Sequence, residues 1–99
     1  MSLIVIAFLD FIDVDEYKKY MTAAGPIFAR EGVQLIVNDT APKPLTPDMT
    51  MDKVVVMEFR DEAHMQGFFA LPDYQEAQVH RDKGVRMRTV VTQRFEMPQ

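Results

Sequence analysis

Cysteine is absent from the 99 residues, which excludes disulfides, thiolate metal sites and cysteine nucleophiles together. Serine occurs once, as Ser2, and a lone serine at the chain terminus is a poor nucleophile for a triad. The four glycines, Gly25, Gly32, Gly67 and Gly84, are scattered, so no phosphate-cradling loop can be drawn. Histidine is nearly as scarce. His64 and His80 lie on separate segments without ligand spacing, so neither a metal nor a cofactor is expected. No apolar stretch approaches the roughly 20 residues of a membrane helix. The opening Met1-Ser2-Leu3-Ile4 lacks a basic region or a small-residue cleavage site and reads as strand, not signal peptide. The expected location is the cytoplasm.

What is present fits one globular domain over residues 1–99, since 47% hydrophobic residues are enough for a single core. The net charge of −4 argues against nucleic acid, whose binding depends on neutralising phosphates. Charge is nevertheless uneven along the chain. Arg81, Lys83, Arg86, Arg88 and Arg94 crowd the last fifth, and Asp10, Asp13, Asp15 and Glu16 crowd the beginning. Either the two ends lie together and compensate each other, or the basic end is a patch for an acidic ligand.

Four runs have strand character. Leu3 to Phe11 is apolar on both alternating sides. Val33 to Asn38 follows a helix that Asp13 caps, with Glu16 three residues on as in a capping box. That helix carries Val14, Tyr17, Met21, Ala24 and Phe28 as its buried stripe, with a kink expected at Gly25-Pro26 and a stop at Gly32. Pro42, Pro44 and Pro47 suit a loop from Asp39 to Asp52. Lys53 to Phe59 reads as a central strand. Asp61 then caps a short helix with Met65, Phe68 and Phe69 inward. Pro72 starts a further helical stretch carrying Tyr74, Ala77 and Arg81, Gly84 ends it, and Arg88 to Phe95 is the last strand.

The order is β-α-β-β-α-β, which gives an α+β, ferredoxin-like two-layer sandwich with an antiparallel sheet. The first and third strands are central and the fourth lies antiparallel beside the first, which brings Asp10 close to Arg88. Two helices can cover one face only. That face takes Leu3, Val5, Ala7, Leu9, Phe11 and their like from the other strands, including Val37. The other face has an apolar centre of Ile4, Ile6, Phe8, Ile36, Val54, Val56 and Val90, ringed by Asp10, Gln34, Asn38, Glu58, Arg88, Thr92 and Arg94. An apolar middle with a polar rim is the anatomy of a protein interface. A second copy of the chain is the expected cover, with Glu58 and Arg88 as rim ion pairs.

The chain resembles the DUF1330 family of the dimeric α+β barrel superfamily. The likeness rests on Tyr17 with Tyr20, Pro26, Gly32 before the second strand, and Val54-Val55-Val56-Met57-Glu58-Phe59. Phe68-Phe69 followed by Leu71-Pro72-Asp73-Tyr74, and the basic Arg81 and Arg88, complete it. The resemblance implies a ferredoxin-like fold and a homodimer with facing sheets. It implies no established activity, although more distant barrel relatives include cofactor-independent monooxygenases and isomerases that work between sheet and helices. The chain departs from the family at Val33, at Asn38-Asp39 in place of Arg-Gly, at Thr46-Pro47 in place of Glu-Gly, and at Leu71 in place of a capping serine. An activity that needs that arginine or glutamate is lost or changed here.

Three functions remain in view. The leading one is a homodimer that binds a small, partly apolar metabolite between sheet and helices, with Tyr20, Tyr74 and Arg81 as ligand contacts. The second is a cofactor-free oxygenase or isomerase that uses Tyr17, His64 or His80 for proton transfer. The third is a structural dimer without a pocket. A cavity of a few hundred Å³ that converges on these polar groups separates the first two from the last.

Overall fold

Leu3–Phe11 forms β1, and its burial alternates residue by residue: Val5, Ala7 and Leu9 are buried, whereas Ile4, Ile6 and Phe8 are covered only in part. That period of two is the mark of a strand with one roofed face. The computed structural model, which describes residues 1–98, continues with α1 (Val14–Arg30), β2 (Gln34–Asp39), β3 (Lys53–Phe59), α2 (Glu62–Phe69), α3 (Pro72–Gly84) and β4 (Val85–Gln93). The sheet order is β2-β3-β1-β4 with antiparallel pairing throughout, so β1 and β3 are central as expected.

Asp13 caps α1, its carboxylate accepting from the backbone N–H groups of Asp15 and Glu16. The helix runs on through Pro26, which lies on the exposed face. There the carbonyl that proline leaves without an intrahelical donor can face water. The buried stripe is Tyr17, Tyr20, Ala24, Ile27 and Phe28, with Met21 at its edge. Val14 is 47% exposed and falls outside it, a correction to the expected stripe. Gly32, at φ 69°, turns the chain into β2.

The helical segment after β3 is split in two. Asp61 caps α2 through the His64 backbone N–H, and Pro72 occupies the first turn of α3, a full 13-residue helix. Phe59, Phe68 and Tyr74 are the largest fully buried side chains. Phe68 stacks on Phe28 with ring centroids 5.1 Å apart and meets the Tyr74 ring at 4.5 Å, which ties α2 to both longer helices.

Two sequence expectations change. β4 starts at Val85, directly after α3, and not at Arg88, and it ends at Gln93, so Phe95 stands outside the sheet and is 76% exposed. With that start, Asp10 pairs with Arg86, their side chains 3.8 Å apart, while Arg88 lies opposite Phe8. Asp10 and Arg88 share a face but are not partners. β2 carries a bulge between Leu35 and Val37, so Ile36 is the inserted residue. Beyond it the facing reverses: Val37 pairs with Val56 on the open side, and Asn38 pairs with Val55 on the helix side. Strict alternation along the strand would place both the other way.

The open face is a series of cross-strand rows. Val37, Val56, Ile6 and Val90 make one, and Asp39, Val54, Phe8 and Arg88 the next. At one end Glu58 accepts from Ser2 Oγ at 2.8 Å and pairs with Arg94 at 3.2 Å. Arg88 reaches over the Phe8 ring and donates to the Thr50 carbonyl.

Candidate functional site

Between the helices and the sheet lies a cavity of about 480 Å³, with exposed residues of both edge strands in its lining. Val5, Ala7, Leu9, Val55 and Met57 form its floor, the roofed positions of the two central strands. Ala7 stands in the middle of that floor, and its small side chain leaves the space a larger residue would fill. Met87, Thr89 and Val91 make one side. Thr89 and Val91 belong to the helix side of β4, yet Val91 is 49% exposed, because no helix extends far enough to cover that edge.

The roof holds the polar groups. α1 supplies Tyr17, Tyr20 and Met21; α3 supplies Tyr74, Gln75, Gln78 and Arg81. On α3, residues 74, 78 and 81 are four and three apart and share a helix face. The Tyr20 and Tyr74 hydroxyls are 2.9 Å apart, and Arg81 donates from Nη1 to the Tyr74 oxygen at 3.0 Å. Arg81 also donates from Nη2 to Asp82 at 3.3 Å. Burial disfavours its charge, but Tyr74, Tyr20 and Asp82 outweigh that effect and hold it more firmly protonated than usual.

Burial, with Tyr74 nearby, pushes the Tyr17 phenol up to about 12. Tyr20 is raised too, first by burial and then by Tyr74. Both are therefore neutral hydrogen-bonding groups at physiological pH and not phenolate bases. Lys53 stands behind Tyr17, its ammonium 4.7 Å from the ring centroid and 4.0 Å from Met21 Sδ. It is 3% exposed, and burial lowers its pKa.

The six candidate polar residues divide cleanly. Tyr17, Tyr20, Tyr74 and Arg81 line the cavity; the two histidines do not. His64 accepts the Arg60 backbone N–H at Nδ1 and lies 2.7 Å from the Glu31 carbonyl at Nε2. One acceptor and one donor define the neutral Nε2–H imidazole, which joins the end of α1 to the start of α2. His80 bonds through Nδ1 to Glu16 at 2.7 Å, a link between α3 and α1. A proton-transfer set that draws on Tyr17 with either histidine is thus not brought together.

Sequence reasoning missed Gln75, Gln78, Asn38 and Thr89. The spacing from Tyr74 to Arg81 points to Gln78, and strand alternation sets Thr89 on the same face as Val91. Nothing in the sequence marks the bulge that brings Asn38 to the cavity. Among the described residues no group of three or more histidine, cysteine or acidic side chains could hold a metal ion. Among those residues no helix is long and apolar enough to cross a membrane.

A family model described as a domain of unknown function, DUF1330, matches residues 3–95. The chain belongs to the DUF1330 family. Among curated proteins no sequence matches it. Several solved structures share the fold of this DUF1330 chain. The RPA0582 protein of unknown function from Rhodopseudomonas palustris is 19% identical, with a TM-score of 0.85 over 97% of this chain and 84% of that one. SnoaB, a cofactor-independent oxygenase from Streptomyces nogalater, is 12% identical, with a TM-score of 0.69 over 99% of this chain and 98% of its own. A dimeric ferredoxin-like protein of unknown function from Thermobifida fusca is 18% identical, with a TM-score of 0.65 over 93% and 90%. At these identities the likeness establishes the fold alone, and the fold is the ferredoxin-like α+β sandwich expected from the sequence.

Proposed function

We propose that this protein is a homodimer that binds a small, partly apolar molecule between its helices and its sheet. The observation that carries the reading is the cavity of about 480 Å³ whose apolar walls converge on Tyr20, Tyr74 and Arg81. A concave apolar site with a few convergent polar groups is the usual form of a small-molecule pocket. It also speaks against a purely structural dimer with a solid interior.

The dimer is supported by the open face. Its two central apolar rows would leave Ile6, Phe8, Val54 and Val56 against water in a single chain. Each such side chain gains roughly 1.5–3 kcal/mol from full burial. The Thermobifida fusca protein of the same fold is described as dimeric, which points the same way.

An oxygenase or isomerase like the SnoaB neighbour ranks behind binding. The cavity is in the appropriate place, but Tyr17 and Tyr20 are held protonated and neither histidine reaches it.

The test is fluorescence of N-phenyl-1-naphthylamine, an uncharged probe that brightens in apolar sites. Saturable binding of one probe per chain is expected, and Ala7→Phe, which fills the floor, should abolish it without unfolding the protein. Binding that never saturates, or that Ala7→Phe leaves unchanged, would remove the cavity from the account.

A further inference from the structure

The cavity's polar wall carries one cation and no anion, and a second cation, Lys53, stands behind it. The lining includes no aspartate or glutamate, and one arginine. Along the roof the contacts form an unbroken chain. Lys53 lies over the Tyr17 ring at 4.7 Å, the Tyr17 and Tyr20 rings are 5.8 Å apart, the Tyr20 and Tyr74 hydroxyls meet at 2.9 Å, and Arg81 closes the line 3.0 Å from Tyr74. A positive side chain stands at each end of a wall of three tyrosines.

The Tyr20 and Tyr74 hydroxyls carry two protons and share one hydrogen bond, so one O–H has no acceptor among the described residues. Tyr20 is 5% and Tyr74 1% exposed, so bulk water does not supply one freely. A guanidinium has five N–H donors, and Arg81 uses one on Tyr74 and one, at 3.3 Å, on the exposed Asp82. Lys53 is buried with no carboxylate in contact among the described residues, and burial lowers its pKa. Spare donors collect on one wall of an otherwise greasy chamber, and the Lys53 ammonium lies behind it.

We infer that the cavity takes an apolar, planar molecule bearing a carboxylate, which Arg81 and the free tyrosine O–H receive. The inference rests on the binding function proposed above and names its ligand class. A carboxylate fits because its two oxygens match the fork of a guanidinium, a pairing that is both directional and charge-assisted. The apolar body lies over Ala7 and Val55 toward Thr89. Lys53 acts at longer range, through the Tyr17 ring, as a second positive charge that an anion would balance.

Competition against bound N-phenyl-1-naphthylamine, with 2-naphthoate and its uncharged amide 2-naphthamide, tests this. The two competitors share their rings and differ in charge. The acid should displace the probe at least about tenfold more effectively than the amide, a ratio equivalent to about 1.4 kcal/mol. Arg81→Met should bring the two level. Thr89→Glu, at an exposed strand position on the lining, should also erase the preference for the acid, and it serves where Arg81→Met fails to fold. A wild-type protein that favours the amide or treats both alike overturns the inference, and so does a preference that survives either folded variant. Failure of both competitors against a bound probe overturns it as well while leaving the cavity's binding role intact; failure of the probe itself strikes that underlying role.

Discussion

The α-carbon of Gly84 lies so close to α1 that a methyl group on it would stand 2.7 Å from the Tyr17 amide nitrogen and 3.0 Å from the Asp13 carbonyl oxygen. The Gly84 carbonyl in turn accepts from the backbone N–H groups of Ile12 and Asp13 at 2.8 and 3.0 Å. The end of α3 is thus seated on the first turn of α1 by backbone alone.

Gly84→Ala should therefore destabilise the protein by about 1–3 kcal/mol, the range for overpacking against atoms that cannot yield. Gly25 offers the control, since nothing lies within 4 Å of its added carbon and it sits inside a helix. Gly25→Ala should stabilise by about 0.5–1 kcal/mol. Urea unfolding of both variants decides the matter. Equal midpoints would show that the seat yields.

The tyrosines predict the alkaline limb. An unfolded phenol ionises near 10.0, whereas native Tyr17 holds its proton to about 12 and Tyr20 is displaced the same way. Above pH 10 the unfolded chain therefore loses protons that the folded one keeps, and stability declines as the pH rises. Tyrosinate absorbance followed with circular dichroism should show these phenols ionising only as the fold is lost. Complete ionisation near pH 10 in a folded protein would contradict the packing described.

On the acid side the relevant carboxylates are Glu16 and Asp73. Glu16 is depressed chiefly by its hydrogen bond to His80, and Asp73 by its bond to Arg30 at 2.7 Å. The stability they contribute is complete above their ordinary values of 4.5 and 3.8 and is lost as the pH falls through the lowered native values. Glu16→Gln combined with Asp73→Asn should flatten the pH dependence of unfolding in that range. An acid limb that keeps its wild-type slope would assign it to other carboxylates.

Ile6 lies at the centre of the open face, between Val56 and Val90. Ile6→Asp should convert the proposed dimer to monomers or aggregates in sedimentation, since a charge there opposes an interface of roughly 1,600 Å² or more. Wild-type protein that sediments as a monomer would leave the face without its proposed cover.

Strict alternation made β1 and β3 legible from sequence, and with them the sheet order and the floor of the cavity. Tyr20, Tyr74 and Arg81 were visible as candidates, but their hydroxyl chain depends on how α1 meets α3, a long-range packing result. β4 was read three residues late because Gly84 looks like the start of a loop, whereas the chain passes there from helix to strand with none. Its true partner for Asp10 is set by that junction. The histidines drew notice as proton carriers, yet their ring nitrogens are taken up in joining helices, which local pattern does not reveal.

Ile36 has a bearing on how relatives are compared. A homologue that lacks the inserted residue keeps the plain two-residue rhythm along this edge strand, and so carries inside what this chain carries outside from Val37 onward. Matching the two letter by letter without a gap would trade chamber lining for outer surface. Asn38 is therefore properly set against whatever residue of the homologue stands opposite the equivalent of Val55, whichever letter happens to fall in the same column.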